Sequence, residues 1–280
     1  MRGGGGRDAA ERPRSGDRPA GLRIEGRDIR LIVSDLDRTL LNSKSDFSEK
    51  TLRTIAHCRA KGLLFAFATA RSERSAKRLI DAVKPDFVIS DSGALLKGNG
   101  QTLYRRALTA ATADGLLRDL KASGVVSCLT ADTEDGYFAN HPPSQYPDYA
   151  HGIFTDFSGP LGRECYKISV EYRDLGPVVR IAERYPECAW MGYVDESWLK
   201  IGPREATKWL AVEALLSHLA LEPRHYAAFG DDLSDLEMIE RAGMGVAMAN
   251  AIPAVRAKAA FVAGNHDQDG VARFLEAYFR

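Results

Sequence analysis

Short apolar runs alternate with amphipathic stretches from residue 29 onward. The runs "IRLIVS", "LLFAFAT" and "DFVIS" are nearly continuous, which is typical of strands covered on both faces. Between the first two runs, "SEKTLRTIAHCRAKG" has apolar residues at helical spacing, with Ser48 as the predicted N-cap and Gly62 as the predicted end. Another helix is predicted over "RSAKRLIDAV". Strands that alternate with helices predict a parallel sheet with right-handed crossover connections.

The same alternation returns in the last third of the chain. A helix is predicted over "EATKWLAVEALLSHLAL", a strand over "HYAAFG" and a helix over "SDLEMIERAG". The strands "MGVAMA" and "AAFVAG" follow with the helix "IPAVRAKA" between them, and a helix over "GVARFLEAYF" comes last. Residues 94–196 break this rhythm with a Pro- and Tyr-rich stretch and the strand-like "CYKISVEY". They predict a separate α+β unit inserted into the first one.

Composition narrows the classes of function. The 280 residues carry 38 basic and 38 acidic side chains, so we expect neither nucleic acid nor an anionic membrane as a partner. No apolar run approaches the roughly 20 residues needed to cross a bilayer. Four widely separated cysteines, Cys58, Cys128, Cys165 and Cys188, are typical of reduced thiols and predict a cytoplasmic protein.

Residues 1–28 differ in composition from the rest of the chain. They are rich in Arg and Gly and nearly lack large apolar side chains, which predicts a disordered N-terminal extension. They contain no hydrophobic segment of the kind found in secretory signals. An RNA-binding arm is the alternative, but aromatic residues are absent and acidic residues are interspersed among the basic ones.

Polar side chains follow the predicted strands at their carboxyl ends, where ligands bind in open parallel sheets. The residues at these positions are Asp35, Asp37, Thr69, Asp231, Asp232 and Asp235. Each has an alternative role as a helix cap, a turn residue or a structural hydroxyl. Lys208 is more informative, because a cation in the first turn of a helix opposes the helix dipole. That placement costs about 0.3–1 kcal/mol unless an anionic partner lies nearby.

Several carboxylates that converge on one edge of a sheet require a cation. Oxygen ligands favour Mg²⁺, which usually takes one or two carboxylates together with waters and substrate phosphate oxygens. We therefore predict that Asp35 and Asp231 hold Mg²⁺, while Asp37 faces a leaving group. Two carboxylates in different environments can then act as nucleophile and as proton donor.

Four segments resemble the motifs of the haloacid dehalogenase superfamily, in the same order. "DLDRTLL" resembles the first motif, DxDGTLL, and "FATAR" resembles the second. "TKWLAVEALLSHLAL" is similar to the third, a lysine-bearing helix, and "GDDLSDLEM" to the fourth, usually GDxxND. The flanking "AGMGVAMANA" and "NHDQDGVARFL" are similar to Cof-type phosphatases, which carry a large (type IIB) cap between motifs two and three.

The resemblance covers residues 29–280 and implies an α/β fold. A Rossmann-like parallel-sheet core would be formed by residues 29–93 and 197–280, with an inserted α+β cap domain at 94–196. The implied activity is Mg²⁺-dependent hydrolysis of a small phosphorylated metabolite, such as a sugar phosphate, through an aspartyl-phosphate. We expect a monomer or a weak homodimer.

The resemblance also implies a role for each matching residue. Asp35 would be the nucleophile, and Asp37 would protonate the leaving alcohol and then activate water. Binding of the phosphoryl group would fall to Thr69, Ala70, Lys208 and Ser234. Metal binding would fall to Asp35, the backbone carbonyl of Asp37, Asp231 and Asp235. Fixed cations and hydrogen-bond donors of this kind stabilise charge that is spread over phosphoryl oxygens.

Four positions depart from the usual motifs. Arg38 and Ala249 stand where glycine is usual, and Ser92 and Ser234 stand where asparagine is usual. These differences affect the phosphate pocket and the cap hinge, but none removes a charged catalytic group.

Two other functions stay open. A phosphomutase would form the same aspartyl-phosphate and return the phosphate to a sugar. A non-catalytic sensor would bind the phosphorylated ligand without turnover, although it would have no need for a proton donor at Asp37.

Aromatic residues of the predicted cap have two interpretations. The segment "YFANHPPSQYPDYAHGIF" is a candidate lid over the substrate. The alternative is that its aromatic side chains only pack the cap; these are Tyr137, Phe138, Tyr146 and Phe154. Trp190 and Trp198 are predicted to pack near the junction of cap and core.

Overall fold

The computed structural model describes residues 21–24, 26–142, 152–192 and 196–278. Its helices are α1 (Glu49–Ala60), α2 (Lys77–Val83), α3 (Ala110–Ala122), α4 (Leu175–Ala182), α5 (Lys208–His218), α6 (Leu236–Arg241), α7 (Pro253–Lys258) and α8 (Gly270–Tyr278). Its first strands are β1 (Leu22–Ile24), β2 (Arg27–Ile29), β3 (Leu31–Ser34), β4 (Leu64–Ala68), β5 (Phe87–Ser90), β6 (Leu95–Gly98), β7 (Gln101–Arg105) and β8 (Val126–Thr133). The remaining strands are β9 (Tyr137–Ala139), β10 (Ile153–Phe154), β11 (Cys165–Tyr172), β12 (Cys188–Gly192), β13 (Trp198–Pro203), β14 (Tyr226–Gly230), β15 (Met244–Ala247) and β16 (Phe261–Val262).

An eight-stranded sheet forms the core, in the order β16-β15-β14-β3-β4-β5-β6-β7. The strands from β16 to β5 run parallel, and β6 and β7 continue the sheet in antiparallel fashion. All residues of β3, β14 and β15 are buried, which explains why their sequences are continuous apolar runs. Helix α1 packs against α2 and α8, and α5 packs against α6 and the strands β5 to β7. This architecture confirms the predicted Rossmann-like α/β core.

A six-stranded sheet forms the cap, in the order β10-β9-β8-β11-β13-β12. Helices α3 and α4 pack against each other and against strands of this sheet. Alternate residues such as Leu129, Ile168 and Ile201 belong to a hydrophobic cluster separate from that of the core. The residues between them therefore lie on the opposite face of the cap sheet, because side chains alternate along a strand.

The two sheets place the cap differently from the predicted boundaries. Residues 94–106 were assigned to the cap, but β6 and β7 extend the core sheet, and β6 pairs directly with β5. Residues from 197 were assigned to the core, but β13 lies inside the cap sheet between β11 and β12. The insertion into the core therefore begins after β7 and ends after β13.

The predicted disordered extension is also too long. Residues 22–24 pair with residues 27–29 in an antiparallel hairpin, so the prediction of disorder is wrong for this segment. The backbone N–H of Arg30 then donates to the carbonyl of His225, which joins the segment to the core. Residues 1–20 lie outside the described residues.

Two further expectations concern disulfide bonds and membrane spans. All four cysteines are buried and unbridged, as the sequence predicted. None of the described helices has the length and apolar character that a membrane span requires.

Candidate active site

Two central strands of the core, β3 and β14, end side by side and bring acidic residues together. Asp35 directly follows β3, and its backbone N–H donates to the carbonyl of Phe229 at 3.0 Å. Asp231 directly follows β14 and accepts a hydrogen bond from the Thr39 hydroxyl at 2.7 Å. Both carboxylates are buried. The carboxyl edge of the parallel sheet is thus the place where these side chains converge.

Lys208 reaches this edge from the start of α5. The Thr207 hydroxyl caps this helix by accepting a hydrogen bond from the N–H of Leu210. Gly93 packs so closely against the cap residue that a Cβ there would lie 2.1 Å from the Thr207 carbonyl oxygen. The Lys208 ammonium donates to a carboxylate oxygen of Asp35 at 2.6 Å and also to Asp235. An anionic partner therefore does offset the unfavourable position of this lysine.

Asp235 organises the loop after β14. Its Oδ1 accepts from the Lys208 ammonium at 2.5 Å, and its Oδ2 accepts from the backbone N–H groups of Asp231 and Asp232 at 3.0 and 3.1 Å. Gly230 permits this fold, because a Cβ on it would lie 2.4 Å from the Cβ of Asp235. Both oxygens of Asp235 thus have partners from the protein itself.

The donor set fits a hard divalent cation. Carboxylate oxygens of Asp35, Asp231 and Asp235 lie within 4.8 Å of one another. Burial raises the pKa of Asp35 well above its usual range, with a smaller opposing effect from Lys208. Burial likewise raises the pKa of Asp231 to about 6. Lys208 bonds to Asp35 and Asp235, and the exposed Arg38 lies 3.8 Å from Asp231. Three buried carboxylates beside one buried lysine are an excess of oxygen ligands and negative charge that suits Mg²⁺.

Asp37 lies apart from this cluster and pairs with Arg71. The guanidinium donates to both of its carboxylate oxygens, from Nε at 2.8 Å and from Nη2 at 2.7 Å. The backbone N–H of Arg71 donates to the Thr69 hydroxyl at 3.1 Å. Two parallel hydrogen bonds hold the Asp37 carboxylate in a defined orientation.

A cavity of about 520 Å³ lies between this edge and the cap sheet. Its floor includes Asp35, Asp37, Lys208 and Asp231, and its roof comes from the polar face of β8, β11 and β13. Lys167 joins the cap to the core, because its ammonium donates to the carbonyl of Ala70 at 2.9 Å. Residues of both sheets therefore line this cavity.

A family model described as haloacid dehalogenase-like hydrolase matches residues 32–275 of this chain. The chain belongs to this family. The match extends across β3, α5 and β14, the elements that carry the carboxylates and the lysine, and it includes the whole inserted cap.

Individual proteins are similar to this chain over most of its length. The chain is 29% identical over 244 residues to an HMP-PP phosphatase of Escherichia coli O157:H7, covering 82% of the chain and 87% of that protein. It is 27% identical over 283 residues to a chloroplastic endoribonuclease YBEY of Arabidopsis thaliana, covering 92% of the chain but only 48% of that longer protein. The structure of a subclass IIB sugar phosphatase, BT4131, superposes with a TM-score of 0.77 at 19% identity, covering 89% of this chain and 98% of the other.

Most, but not all, of the predicted site residues of the hydrolase line the cavity. Those that do are Asp35, Asp37, Ala70, Lys208, Asp231 and Ser234. Thr69 and Asp235 are buried beneath it and do not appear on its surface. The Thr69 hydroxyl instead accepts from the backbone of Arg71, and Asp235 supports Lys208 from below.

Two of the departures from the family motifs occupy left-handed backbone conformations. Arg38 has a φ of 58° and Ser92 a φ of 62°, a region that costs a residue other than glycine about 1–2 kcal/mol. The Asn250 side chain donates to the Arg38 carbonyl at 2.8 Å and supports this conformation. The usual glycine and asparagine would adopt it more readily.

Three basic residues that line the cavity were not predicted, namely Arg71, Lys167 and Lys200. Arg71 lies two residues after Thr69 in "FATAR", close enough in sequence to have been found. Lys167 and Lys200 occupy polar positions of the alternating strands "CYKISVEY" and "WLKIGP". A basic residue on the polar face of a strand is the signal that could have indicated them.

The aromatic residues of the cap divide between packing and exposure. Phe138 belongs to the cap core, as the packing interpretation predicts. Tyr137 and Trp198 line the cavity, whereas Phe154 is 61% exposed and Trp190 is 42% exposed, so packing is the wrong interpretation for these two. Tyr146 lies outside the described residues.

Proposed function

We propose that this hydrolase is a phosphatase that acts on a small phosphorylated metabolite, with Mg²⁺ as cofactor. The observation that carries the proposal is the buried contact between Lys208 and Asp35 beside Asp231, at the floor of a cavity that the cap covers. A nucleophile that is fixed beside a cation and under a cap suits attack on a phosphoryl group from which bulk water is excluded. The four unbridged cysteines support a cytoplasmic location.

The reaction would proceed in two displacements. An oxygen of Asp35 bonds to phosphorus while the bond from phosphorus to the leaving oxygen breaks, and Asp37 gives that oxygen a proton. Water then attacks phosphorus and gives a proton to Asp37, while the bond from phosphorus to the Asp35 oxygen breaks. This step restores the Asp35 carboxylate and yields phosphate. Lys208 balances charge on the phosphoryl oxygens throughout. Mg²⁺, held by Asp35 and Asp231, would supply further positive charge at this position.

Arg71 would control the orientation of Asp37. A carboxylate whose two oxygens both accept from a guanidinium cannot at the same time deliver a proton to a leaving group. At least one oxygen must therefore leave Arg71 when substrate binds. The Arg71 guanidinium would then donate to the substrate, which would make substrate binding and activation of Asp37 parts of one rearrangement.

The relatives support a phosphatase but do not identify the substrate. The E. coli relative is named for HMP-PP and the structural neighbour for a sugar phosphate. A phosphomutase would use the same two aspartates and differ only in the acceptor of the phosphate, and a non-catalytic sensor would use the pocket without turnover.

The proposal is tested by incubating the protein with a panel of phosphate esters and Mg²⁺ and measuring released phosphate. We expect release from at least one small ester and its loss when EDTA is added. Transfer of phosphate between positions of a sugar, without release, would indicate the mutase. Binding of an ester without any turnover would indicate the sensor.

Replacing Asp37 by asparagine should slow the hydrolysis of esters with poor leaving groups. General acid catalysis contributes typically about 10²–10⁴-fold, so kcat for a sugar phosphate should fall by that factor. With p-nitrophenyl phosphate the loss should be much smaller, because nitrophenolate leaves without a proton. Steady-state assays of both esters provide the measurement. Unchanged kcat with the sugar phosphate would exclude Asp37 as the acid.

A further inference from the structure

Among the described residues, one basic side chain of the cavity, Lys200, has no ion-pair partner. Lys208 bonds to Asp35 and Arg71 bonds to Asp37. Carboxylate oxygens of Asp132 and Asp231 lie 3.3 Å from Lys167 and 3.8 Å from Arg38, respectively. Lys200 also lines the cavity. Within the described ranges it makes neither a hydrogen bond nor an ion pair.

The position of Lys200 in the cap sheet fixes which way it faces. Its neighbours in β13, Leu199 and Ile201, are fully buried in the cap core. Side chains alternate along a strand, so Lys200 belongs to the opposite face, where it forms part of the cavity roof. The lysine is partly buried, and burial is the main cause that lowers its pKa to about 7, with further lowering by Lys208 and Lys167.

The residues beside Lys200 are suited to a polar ligand. In the sheet register Lys200 lies opposite Ser169 on one side and Met191 on the other, and Ser169 lies opposite Thr130. All four line the cavity, and directly opposed side chains are about 4.5–5.5 Å apart at Cβ. The row therefore places one ammonium and two hydroxyls together on the roof. Hydroxyls and an ammonium can all donate hydrogen bonds to one anion.

We propose that Lys200, together with Ser169 and Thr130, binds a second anionic group of the substrate, a carboxylate or a second phosphate. The proposal rests on the proposed function, because the transferred phosphoryl group occupies the floor at Asp35 and Lys208. The substrate would then span the cavity, with its reacting phosphate on the core and its other anion on the cap. Lys200 would thereby favour phosphate esters that carry a second negative charge.

Matched pairs of esters test this preference. 3-Phosphoglycerate and glycerol 3-phosphate differ in one carboxylate, and fructose 1,6-bisphosphate and fructose 6-phosphate differ in one phosphate. Wild-type protein should show a higher kcat/KM for the more anionic member of at least one pair, and the pair that responds identifies the anion. Lys200→Met should reduce that preference by about tenfold or more, the effect of losing a charged hydrogen bond.

Conservative variants separate anion binding from packing. Lys200→Arg keeps the charge and should retain most of the preference, whereas Ser169→Ala should reduce it less than Lys200→Met does. If Lys200→Met lowers kcat/KM equally for both members of every pair, or if wild type prefers neither member, the inference is wrong while the proposed function stands.

Binding measurements keep the inference independent of catalysis. Calorimetric titration of the Asp35→Asn variant with each ester, with and without Lys200→Met, reports the preference directly. A preference that depends on Lys200 in these titrations, together with wild-type protein that hydrolyses no ester of the panel, would support the anion site and contradict the phosphatase. Equal affinities for both members of every pair would overturn the anion site.

Discussion

Replacement of Asp35 by asparagine is expected to abolish phosphatase turnover, with a loss in kcat of at least about 10⁴-fold, as is typical when a covalent nucleophile is removed. The amide oxygen can still accept the hydrogen bond from Lys208, so the geometry of the floor should persist. What is lost is the negative oxygen that bonds to phosphorus. Initial rates of phosphate release with Mg²⁺ measure the effect.

The fold of this variant should remain intact or become slightly more stable. Burial raises the pKa of Asp35, which means that the folded protein disfavours the charge that asparagine removes. Urea unfolding should therefore give a free energy of unfolding no lower than that of wild type. Glu196→Gln is a suitable control, because it also converts a cavity carboxylate to an amide but lies exposed at the rim. Substantial Mg²⁺-dependent turnover by Asp35→Asn would contradict the assignment of the nucleophile.

The core could be predicted because its strands are buried on both faces. Continuous apolar runs at β3 and β14 leave few alternatives to a parallel sheet, and the Ser48 cap is local in sequence. Convergence of Asp35 and Asp231 followed from topology, since parallel strands end at one edge. The structure confirms that Lys208 joins them there.

The limits of the cap could not be predicted, because they depend on which sheet each strand joins. The hairpin of β6 and β7 adds to the edge of the core sheet, but its sequence does not distinguish this from a place in the cap. Strand β13 alternates apolar and polar residues because one face lies on the cap core and the other lines the cavity. Its strand partners are distant in sequence, so no local pattern indicates its sheet.

The site shows the same division between local and distant information. The motif residues were found from their position after strands, whereas the bond between Arg71 and Asp37 joins residues 34 positions apart. The Lys200 row joins three further strands. Side-chain partners of this kind depend on how the cap lies over the core, which no short segment encodes.

Among substitutions at the floor of the cavity, we expect replacement of Lys208 to lower the stability of the protein most. It is the shared partner of Asp35 and Asp235, and Asp235 in turn holds the backbone after β14. Neighbouring Asp235 and Asp35 raise the pKa of Lys208 against the opposing effect of burial, so the ammonium is charged throughout the physiological range. Loss of this one cation therefore affects both the nucleophile and the loop that carries Asp231.

Replacement of Lys208 by methionine should lower the free energy of unfolding by about 3–5 kcal/mol in EDTA, because it leaves buried carboxylates without their cation. Phosphatase activity should fall with it. The pKa of Asp35 is already raised by burial and should rise further in the variant, so the folded state binds more protons than the unfolded state. The loss in free energy of unfolding should therefore become smaller as pH falls from about 8 to about 5, because protonation of Asp35 is more favourable in the folded state than in the unfolded state.

Urea unfolding of wild type and variant at both pH values measures this deficit. Lys77→Met provides a matched control, because it removes an exposed ion pair with Asp81 and should cost less than about 0.5 kcal/mol. Added Mg²⁺ should stabilise the Lys208 variant more than wild type, since the carboxylates it would bind have lost their competing cation. A deficit that is no larger than that of the control, or one that grows as pH falls, would mean that the carboxylates are not held together by Lys208. The arrangement of the floor would then have to depend on the backbone bonds to Asp235 alone.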